Sequence, residues 1–242
     1  MKWIAHRGGS PEHDIQSLLE SLDNPLVDGI ECDVRFSLDS VPVVFHDESL
    51  YRLYGIDCAL PSRTWNQLQQ ISSSFFSLQE WLLCIESHLG KKKGFLVMIE
   101  IKPNLSDTNT KALFSVIREF LTNQTMHIIL ASFDHVWLKQ QQSFFFEDTW
   151  KHLSWMCLLS SRLSLHDITS ILTCPLPIHY LGLSSEVVCP EYIEEIRQST
   201  SSQPLSIFVF TINDKTTFQR CMSCLDNSHD GVITDDISYI LE

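Results

Sequence analysis

The sequence predicts a (β/α)8 TIM barrel, a closed ring of eight parallel strands surrounded by helices. The chain has 242 residues, which is close to the usual size of such a barrel. Eight short apolar runs alternate along it with longer stretches in which apolar residues recur three and four positions apart. Hydrophobic residues make up 44% of the chain, so enough apolar surface is present for a large core.

The apolar runs have the character of strands that are covered by helices. Parallel strands of this kind are nearly continuous in hydrophobicity, as these runs are. Between them, Ile15, Leu18, Leu19 and Leu22 have the spacing of one apolar helix face. A doubly wound open sheet is the alternative, but HRGGSPE after the first run lacks the GxGxxG spacing of its phosphate loop. The candidate strands are residues 3–7, 29–36, 95–101, 127–132, 153–159, 178–184, 205–212 and 230–234.

One segment interrupts the alternation of strands and helices. VPVVFHDESL (41–50) is a second apolar run directly after the second strand, and it predicts an extra strand or hairpin. Residues at about 47–80 then form a predicted insertion in the second βα loop, and the second helix of the barrel is predicted at 76–89. We expect residues 1–242 to form a single domain that contains this insertion.

The charge balance limits the classes of partner. Seventeen basic against thirty acidic residues give a net charge of −13, which repels nucleic acids. An anionic substrate therefore needs local cations or a metal ion. From the residues before the first predicted strand we expect no export signal, and no run approaches the roughly twenty apolar residues of a membrane helix. We expect a cytoplasmic protein without a transmembrane segment, and the sequence does not define its oligomeric state.

Polar residues collect where the first predicted strands end. In a TIM barrel the active site lies at the C-terminal ends of the strands, so these residues carry the functional signal. Glu31 and Asp33 are two positions apart and point to the same side of their strand, and Glu100 and Lys102 repeat this spacing. The candidate site residues at these strand ends are His6, Arg7, Glu31, Asp33, His46, Glu100 and Lys102.

The three acidic residues predict a metal site. Glu31, Asp33 and Glu100 offer hard oxygen ligands of the kind that Mg²⁺ or Ca²⁺ prefers. The alternative is that Arg7 and Lys102 simply neutralise them, because unpaired buried charges are costly. Three acids against two bases leave one negative charge over, which favours one divalent ion. His6 and His46 lie at strand ends that face this site, where two imidazoles are suited to act as acid and base near neutral pH.

Six motifs in this order resemble the glycerophosphodiester phosphodiesterase family. They are AHRG followed by PE, IECDV, VPVVFHD, IEIK, FTIN and GVITD, and they span residues from about Trp3 to Asp235. The resemblance implies a TIM barrel with a small insertion, a divalent metal ion, and hydrolysis of small-molecule glycerophosphodiesters to glycerol 3-phosphate and an alcohol. It also implies a place in lipid and glycerol metabolism.

The resemblance assigns a role to each matching position. His6 and His46 match the acid and base, Glu31, Asp33 and Glu100 match the metal carboxylates, and Arg7 and Lys102 match the basic residues near the phosphate. Glu12 matches a family position close to the metal, His13 stands where the family usually has Asn, and Phe210 replaces a common Trp in the substrate wall. Two alternatives remain: a lysophospholipase D-like phosphodiesterase, for which the aromatic residues Tyr51, Tyr54, Phe75 and Phe76 could supply a groove, and a barrel that binds phosphodiesters without turnover.

Overall fold

The computed structural model describes residues 1–10, 14–90, 93–122, 125–142, 150, 152–172, 176–200 and 205–236. The strands in these ranges are β1 (Lys2–Ala5), β2 (Gly29–Phe36), β3 (Pro42–Val44), β4 (Phe95–Ile101), β5 (Met126–Ser132), β6 (Ser154–Leu159), β7 (Tyr180–Ser184), β8 (Ser206–Phe210) and β9 (Gly231–Thr234). The helices are α1 (Ile15–Asp23), α2 (Tyr51–Tyr54), α3 (Trp65–Ile71), α4 (Leu78–Leu89), α5 (Asp107–Phe120), α6 (His135–Gln140), α7 (Leu165–Leu172), α8 (Pro190–Ser199) and α9 (Lys215–Met222).

Eight of the strands form a closed parallel barrel. Hydrogen bonding runs in the order β1-β9-β8-β7-β6-β5-β4-β2, and pairing of β1 with β2 closes the ring at Ile4 and Gly29. The remaining strand, β3, is antiparallel to β2, with Val34 opposite Val44. The predicted TIM barrel is therefore confirmed, and the open doubly wound alternative is wrong.

The first strand ends earlier than the sequence predicts. β1 stops at Ala5, and His6–Gly9 form a short 3-10 turn. Arg7, Gly8 and Gly9 have φ values of 51°, 67° and 94°, so the chain leaves the extended conformation directly after the strand. A side chain at position 9 would meet the Ser21 hydroxyl at 2.7 Å, which makes glycine necessary for this turn to pack on α1.

Two hydrophobic cores hold the barrel. The larger lies between the strands and the surrounding helices and contains Trp81, Trp150 and Trp155, each almost fully buried. The smaller fills the barrel interior with side chains such as Met98, Met156 and Phe208. Along β4 the inward-facing side chains change from the apolar Leu96 and Met98 to the ionisable Glu100 towards the C-terminal end of the strand. The apolar residues of the barrel interior therefore pack directly beneath the charged groups at the mouth.

The segment between β3 and α4 has a hydrophobic cluster of its own. Its buried members are Val43, Phe45, Leu50, Leu60, Leu68 and Phe75. Thr64 and Ser77 cap the N-termini of α3 and α4 with capping boxes, in which each hydroxyl is paired with a Gln or Glu three positions later. The backbone N–H of Val44 donates to the Phe76 carbonyl at 2.9 Å, so both ends of the segment lie side by side. None of the helices within the described ranges is long and apolar enough to cross a bilayer.

Candidate active site

Three carboxylates meet at the mouth of the barrel. Asp33 on β2 lies opposite Glu100 on β4 in the parallel register, and Glu31 faces the same side two positions earlier. One ligand oxygen from each of the three lies within 4.8 Å of the others. Glu31 and Asp33 retain only 5% and 1% of their exposure. The sequence-predicted convergence of these acids is present, and three oxygen donors at this separation fit a hard divalent cation.

The two basic residues named from the sequence contact these acids. Arg7 donates its backbone N–H to Oε2 of Glu31 at 3.0 Å, and its Nε lies 3.2 Å from Oδ2 of Asp33. The Lys102 ammonium forms ion pairs with both Asp33 and Glu100. The sequence left open whether Arg7 and Lys102 simply neutralise the acids, and these ion pairs are present. Neutralisation by cations and a cluster suited to a metal occur together.

Burial and mutual repulsion raise the pKa values of Glu31 and Glu100. Burial, followed by the charge of Asp33, raises the pKa of Glu31 to about 8. Burial and Asp33 likewise raise the pKa of Glu100, although Lys102 opposes the change. Burial lowers the pKa of Lys102, but Asp33 and Glu100 outweigh it and the net pKa is raised. The site therefore favours an additional positive charge.

His6 is oriented by an aspartate at the opposite end of the chain. Its Nδ1 lies 2.6 Å from Oδ1 of Asp235, which follows β9, and its Nε2 lies 3.8 Å from Oε2 of Glu31. Asn213 donates its amide N–H to the other Asp235 oxygen at 2.5 Å and accepts the Asp235 backbone N–H at 3.1 Å. Burial lowers the pKa of His6, but Asp235 and Glu31 outweigh it, so the pKa is raised.

His46 has a parallel arrangement on the other side of the mouth. Its Nδ1 lies 2.7 Å from Oδ1 of Asp47, and Arg52 on α2 donates Nε–H to Oδ2 of Asp47 at 2.6 Å. Arg35 donates Nε–H to the His46 carbonyl at 2.8 Å and fixes its backbone. Burial lowers the pKa of His46, and the attraction of Asp33 does not compensate for it. The pKa of His6 is thus raised and that of His46 lowered.

Phe210 borders the carboxylates from the opposite wall of the barrel. Together with His6, Glu31 and Glu100 it lines a cavity of about 40 Å³, whose floor consists of barrel-interior residues such as Met98. Its ring packs edge-on against Phe133 at a centroid distance of 5.7 Å. Glu12 and His13, the other two residues named from the sequence, lie outside the described residues.

Four contact residues of this site were not identified from the sequence. They are Asp47 and Asp235, which hold the histidines, and Arg52 and Asn213, which hold the aspartates. A signal for the aspartates was available, because Asp47 adjoins His46 and Asp235 follows a barrel strand. Asn213 also follows a predicted strand and ends the FTIN motif, whereas Arg52 carries no comparable signal, since only the folded loop brings it to Asp47.

The aromatic residues of the insertion form a packed cluster. The rings of Tyr54 and Phe75 stack at 4.8 Å between centroids, and Phe45 contacts Phe75 at 5.5 Å. Phe75 is 3% exposed, whereas Tyr51 is 66% exposed. Phe45, Tyr54 and Phe75 therefore belong to the core of the insertion, and Phe75 is unavailable to line an open lipid groove.

Comparison with known proteins decides the family. The model of the glycerophosphoryl diester phosphodiesterase family matches residues 6–239. The chain belongs to this family. Its curated relatives include human glycerophosphodiester phosphodiesterase domain-containing protein 5, 30% identical over 91 residues, which are 33% of this chain and 14% of that protein. Rat glycerophosphodiester phosphodiesterase 1 is 33% identical over 72 residues, 28% of this chain and 22% of that one. The matches thus span a minor part of each relative.

Solved structures share the barrel fold of this protein over almost the full length of the chain. A glycerophosphodiester phosphodiesterase from Thermotoga maritima superposes with a TM-score of 0.75 at 22% identity, covering 99% of this chain and 96% of that one. An Oleispira antarctica phosphodiesterase in complex with the product sn-glycerol-3-phosphate gives a TM-score of 0.76 at 20% identity, covering 100% and 95%. At these identities the likeness establishes the fold.

Proposed function

We propose that the protein hydrolyses glycerophosphodiesters to glycerol 3-phosphate and an alcohol, with a divalent metal ion and two histidines. The observation that carries the proposal is the meeting of two buried carboxylates and one partly buried carboxylate, two cations and two aspartate-held histidines in one barrel mouth. Membership of the phosphodiesterase family and the product bound to the Oleispira antarctica relative also support it.

The carboxylates Glu31, Asp33 and Glu100 would hold Mg²⁺ or Ca²⁺. Their oxygens match the ligand preference of these ions, and burial makes the cluster unfavourable without added positive charge. When bound, such an ion neutralises negative charge on phosphate oxygens and so assists attack at phosphorus.

Arg7 and Lys102 provide the remaining neutralisation of the phosphate. Both cationic groups lie directly beside the carboxylate cluster, at Asp33 and Glu100. A phosphodiester resists nucleophilic attack because it is itself anionic, and preorganised cations stabilise the extra charge that develops in the transition state. Phe210 closes the opposite wall with an apolar ring and limits access of water.

The two histidines divide the proton transfers. His46, with its lowered pKa, accepts the proton of the glycerol 2-hydroxyl as that oxygen attacks phosphorus. His6, with its raised pKa, donates a proton to the oxygen of the departing alcohol. The cyclic glycerol phosphate that forms is then opened by water, with the histidines in exchanged roles. Asp47 and Asp235 hold the Nδ1 atoms, so that each Nε2 is left for the substrate.

The decisive experiment measures release of glycerol phosphate from several headgroup diesters by purified protein. We expect turnover with Mg²⁺ or Ca²⁺, loss of turnover with EDTA, and a fall of about a hundredfold or more in His6→Ala and His46→Ala. His166→Ala is the control, because His166 is exposed on α7 and does not line the cavity between His6 and Phe210, so the activity of this variant should be unchanged. Absence of metal-dependent release from every diester would refute the proposal, and binding without turnover would favour a binding barrel.

A further inference from the structure

A second cavity adjoins the barrel mouth on the outer side of Lys102. Its volume is about 290 Å³, much larger than the space between His6 and Phe210. The turn between β2 and β3, the loop after β4 and the first turn of α5 form its walls. We name it the side cavity, and the residues used below to define it are Arg35, Ser40, Lys102, Asn104 and Asn109.

The side cavity is joined to the catalytic groups by its two cations. Lys102 lines the cavity while its ammonium pairs with Asp33 and Glu100. Arg35 lies two residues after Asp33 on β2, on the face that bears the metal carboxylates, and it binds the His46 carbonyl. A diester whose phosphate lies at the carboxylates therefore has this space beside it for one of its two alcohols.

The chemistry of the lining selects among alcohols. Among the described residues that line the cavity, Arg35 and Lys102 are charged and none is acidic, although the whole chain carries a net charge of −13. Ser40, Asn104 and Asn109 add neutral hydrogen-bonding groups. Phe36 is the aromatic residue among the described residues of the lining and is 5% exposed, so these residues form no aromatic cage for a quaternary ammonium.

We propose that the side cavity receives the leaving alcohol of the diester and favours a polyhydroxylated alcohol over a cationic amino alcohol. The inference rests on the proposed function and specifies its substrate class. The guanidinium of Arg35 repels choline or ethanolamine, whereas the charge of Lys102 is paired with Asp33 and Glu100. Hydroxyl oxygens accept hydrogen bonds from Arg35, Lys102 and the two asparagines. A site built to bond hydroxyl groups rejects an alcohol that leaves its polar groups unpaired.

The test compares kcat/KM for glycerophosphoinositol and glycerophosphoglycerol with kcat/KM for glycerophosphocholine. Asn109→Leu removes one polar group from the cavity, while the backbone N–H of residue 109 keeps its bond to the Ser106 hydroxyl. We expect the polyol diesters to lose about three- to tenfold in kcat/KM, the effect of one hydrogen bond, and glycerophosphocholine to be unchanged. The wild-type protein should prefer the polyol diesters by about tenfold or more.

Two further variants separate this effect from damage to the fold. Thr108→Leu is the matched control, because Thr108 is exposed next to Asn109 and does not line the cavity, and it should leave all substrates unaffected. Ser40→Gly removes a lining hydroxyl where φ is 63°, a conformation that glycine adopts without strain, and should also weaken the preference for polyols.

The outcomes distinguish the two proposals. A wild-type preference for glycerophosphocholine, or equal losses on all substrates in Asn109→Leu and Ser40→Gly, would overturn the assignment of the side cavity while leaving diester hydrolysis in place. Inactivity of the wild-type protein on every diester, with metal supplied, would overturn the proposed function and this inference together.

Discussion

His6 and Asp235, which are 229 positions apart in the chain, meet with 2.6 Å between Nδ1 and Oδ1. The closure of the barrel is what brings them together, because β1 pairs with β9 from Lys2 to Ala5. An imidazole held at Nδ1 by a carboxylate presents Nε2 in one orientation and is stabilised in its protonated form. The contact therefore couples the geometry of the barrel to the proton transfer proposed for His6.

Replacing Asp235 with asparagine should affect the rate and the pH profile together. We expect Asp235→Asn to lower kcat by about a hundredfold or more, since the amide does not stabilise the imidazolium. The hydrogen bond and charge of Asp235 raise the pKa of His6, so their removal lowers that pKa. The alkaline limb of kcat against pH should then move to lower pH. A lower kcat with an unmoved alkaline limb would contradict this role.

Cation binding should depend on pH through Glu31. A carboxyl group whose folded pKa is raised from 4.5 to about 8 binds its proton more tightly in the native state, so the metal-free protein loses stability as pH rises through that window. Bound Mg²⁺ competes with this proton. We expect Mg²⁺ to raise the melting temperature more at pH 8 than at pH 6. Glu31→Gln should remove most of the difference, and an equal shift at both pH values would argue against a site at Glu31.

Arg52 offers a test of the link between the insertion and the site. Arg52→Ala should lower kcat about three- to tenfold with little change in KM, because Asp47 loses the partner that fixes it against His46. Arg52→Lys should retain part of the activity. Stability should change by less than about 0.5 kcal/mol, since this ion pair is half exposed. The exposed Asn66→Ala is the control within the same segment, and a matching loss in it would show that the effect is nonspecific.

Two histidines at the N-terminal end of the barrel should weaken the fold in acid. Burial, reinforced by His152, lowers the pKa of His127, and burial, reinforced by His127, lowers that of His179. Nδ1 of His179 accepts a hydrogen bond from the backbone N–H of Trp155, and protonation of Nδ1 would remove this bond.

The sign of the effect follows from linkage. Above the unfolded pKa of 6.5 both states are neutral and nothing is lost, while below it the unfolded state binds protons first, so stability falls as pH decreases towards the folded values. Urea unfolding should show that the free energy of unfolding falls less between pH 7.5 and pH 5.5 in the double variant His127→Gln, His179→Gln than in the wild type. Equal losses in both proteins would contradict the prediction.

The convergence of the three carboxylates could be predicted from the sequence because it depends on the regular geometry of neighbouring strands. Alternation along β2 puts Glu31 and Asp33 on one face, and the parallel register adds Glu100 from β4. Both strands, Gly29–Phe36 and Phe95–Ile101, have the bounds that the apolar runs indicated. The roles assigned to these residues and to the histidines stay predictions until they are assayed.

Other features depend on contacts between distant segments and could not be read from local patterns. The first strand was predicted over residues 3–7, but the left-handed conformation of Arg7 and Gly8 ends β1 at Ala5, two residues earlier. The pairs of Arg52 with Asp47 and of Asn213 with Asp235 form only after loops have closed on the barrel. The side cavity likewise arises where a hairpin turn meets the start of α5.

The independent apolar cluster between β3 and α4 has a consequence for protein engineering. Val43 and Ser77 form a β-bridge, so this stretch leaves and re-enters the barrel at neighbouring points and carries its own hydrophobic support. Such a stretch is suited to exchange between barrels as a unit, since its buried apolar residues form a cluster separate from the barrel cores. Chimaeras built at these two points would exchange His46 together with Asp47 and Arg52, the residues that hold it.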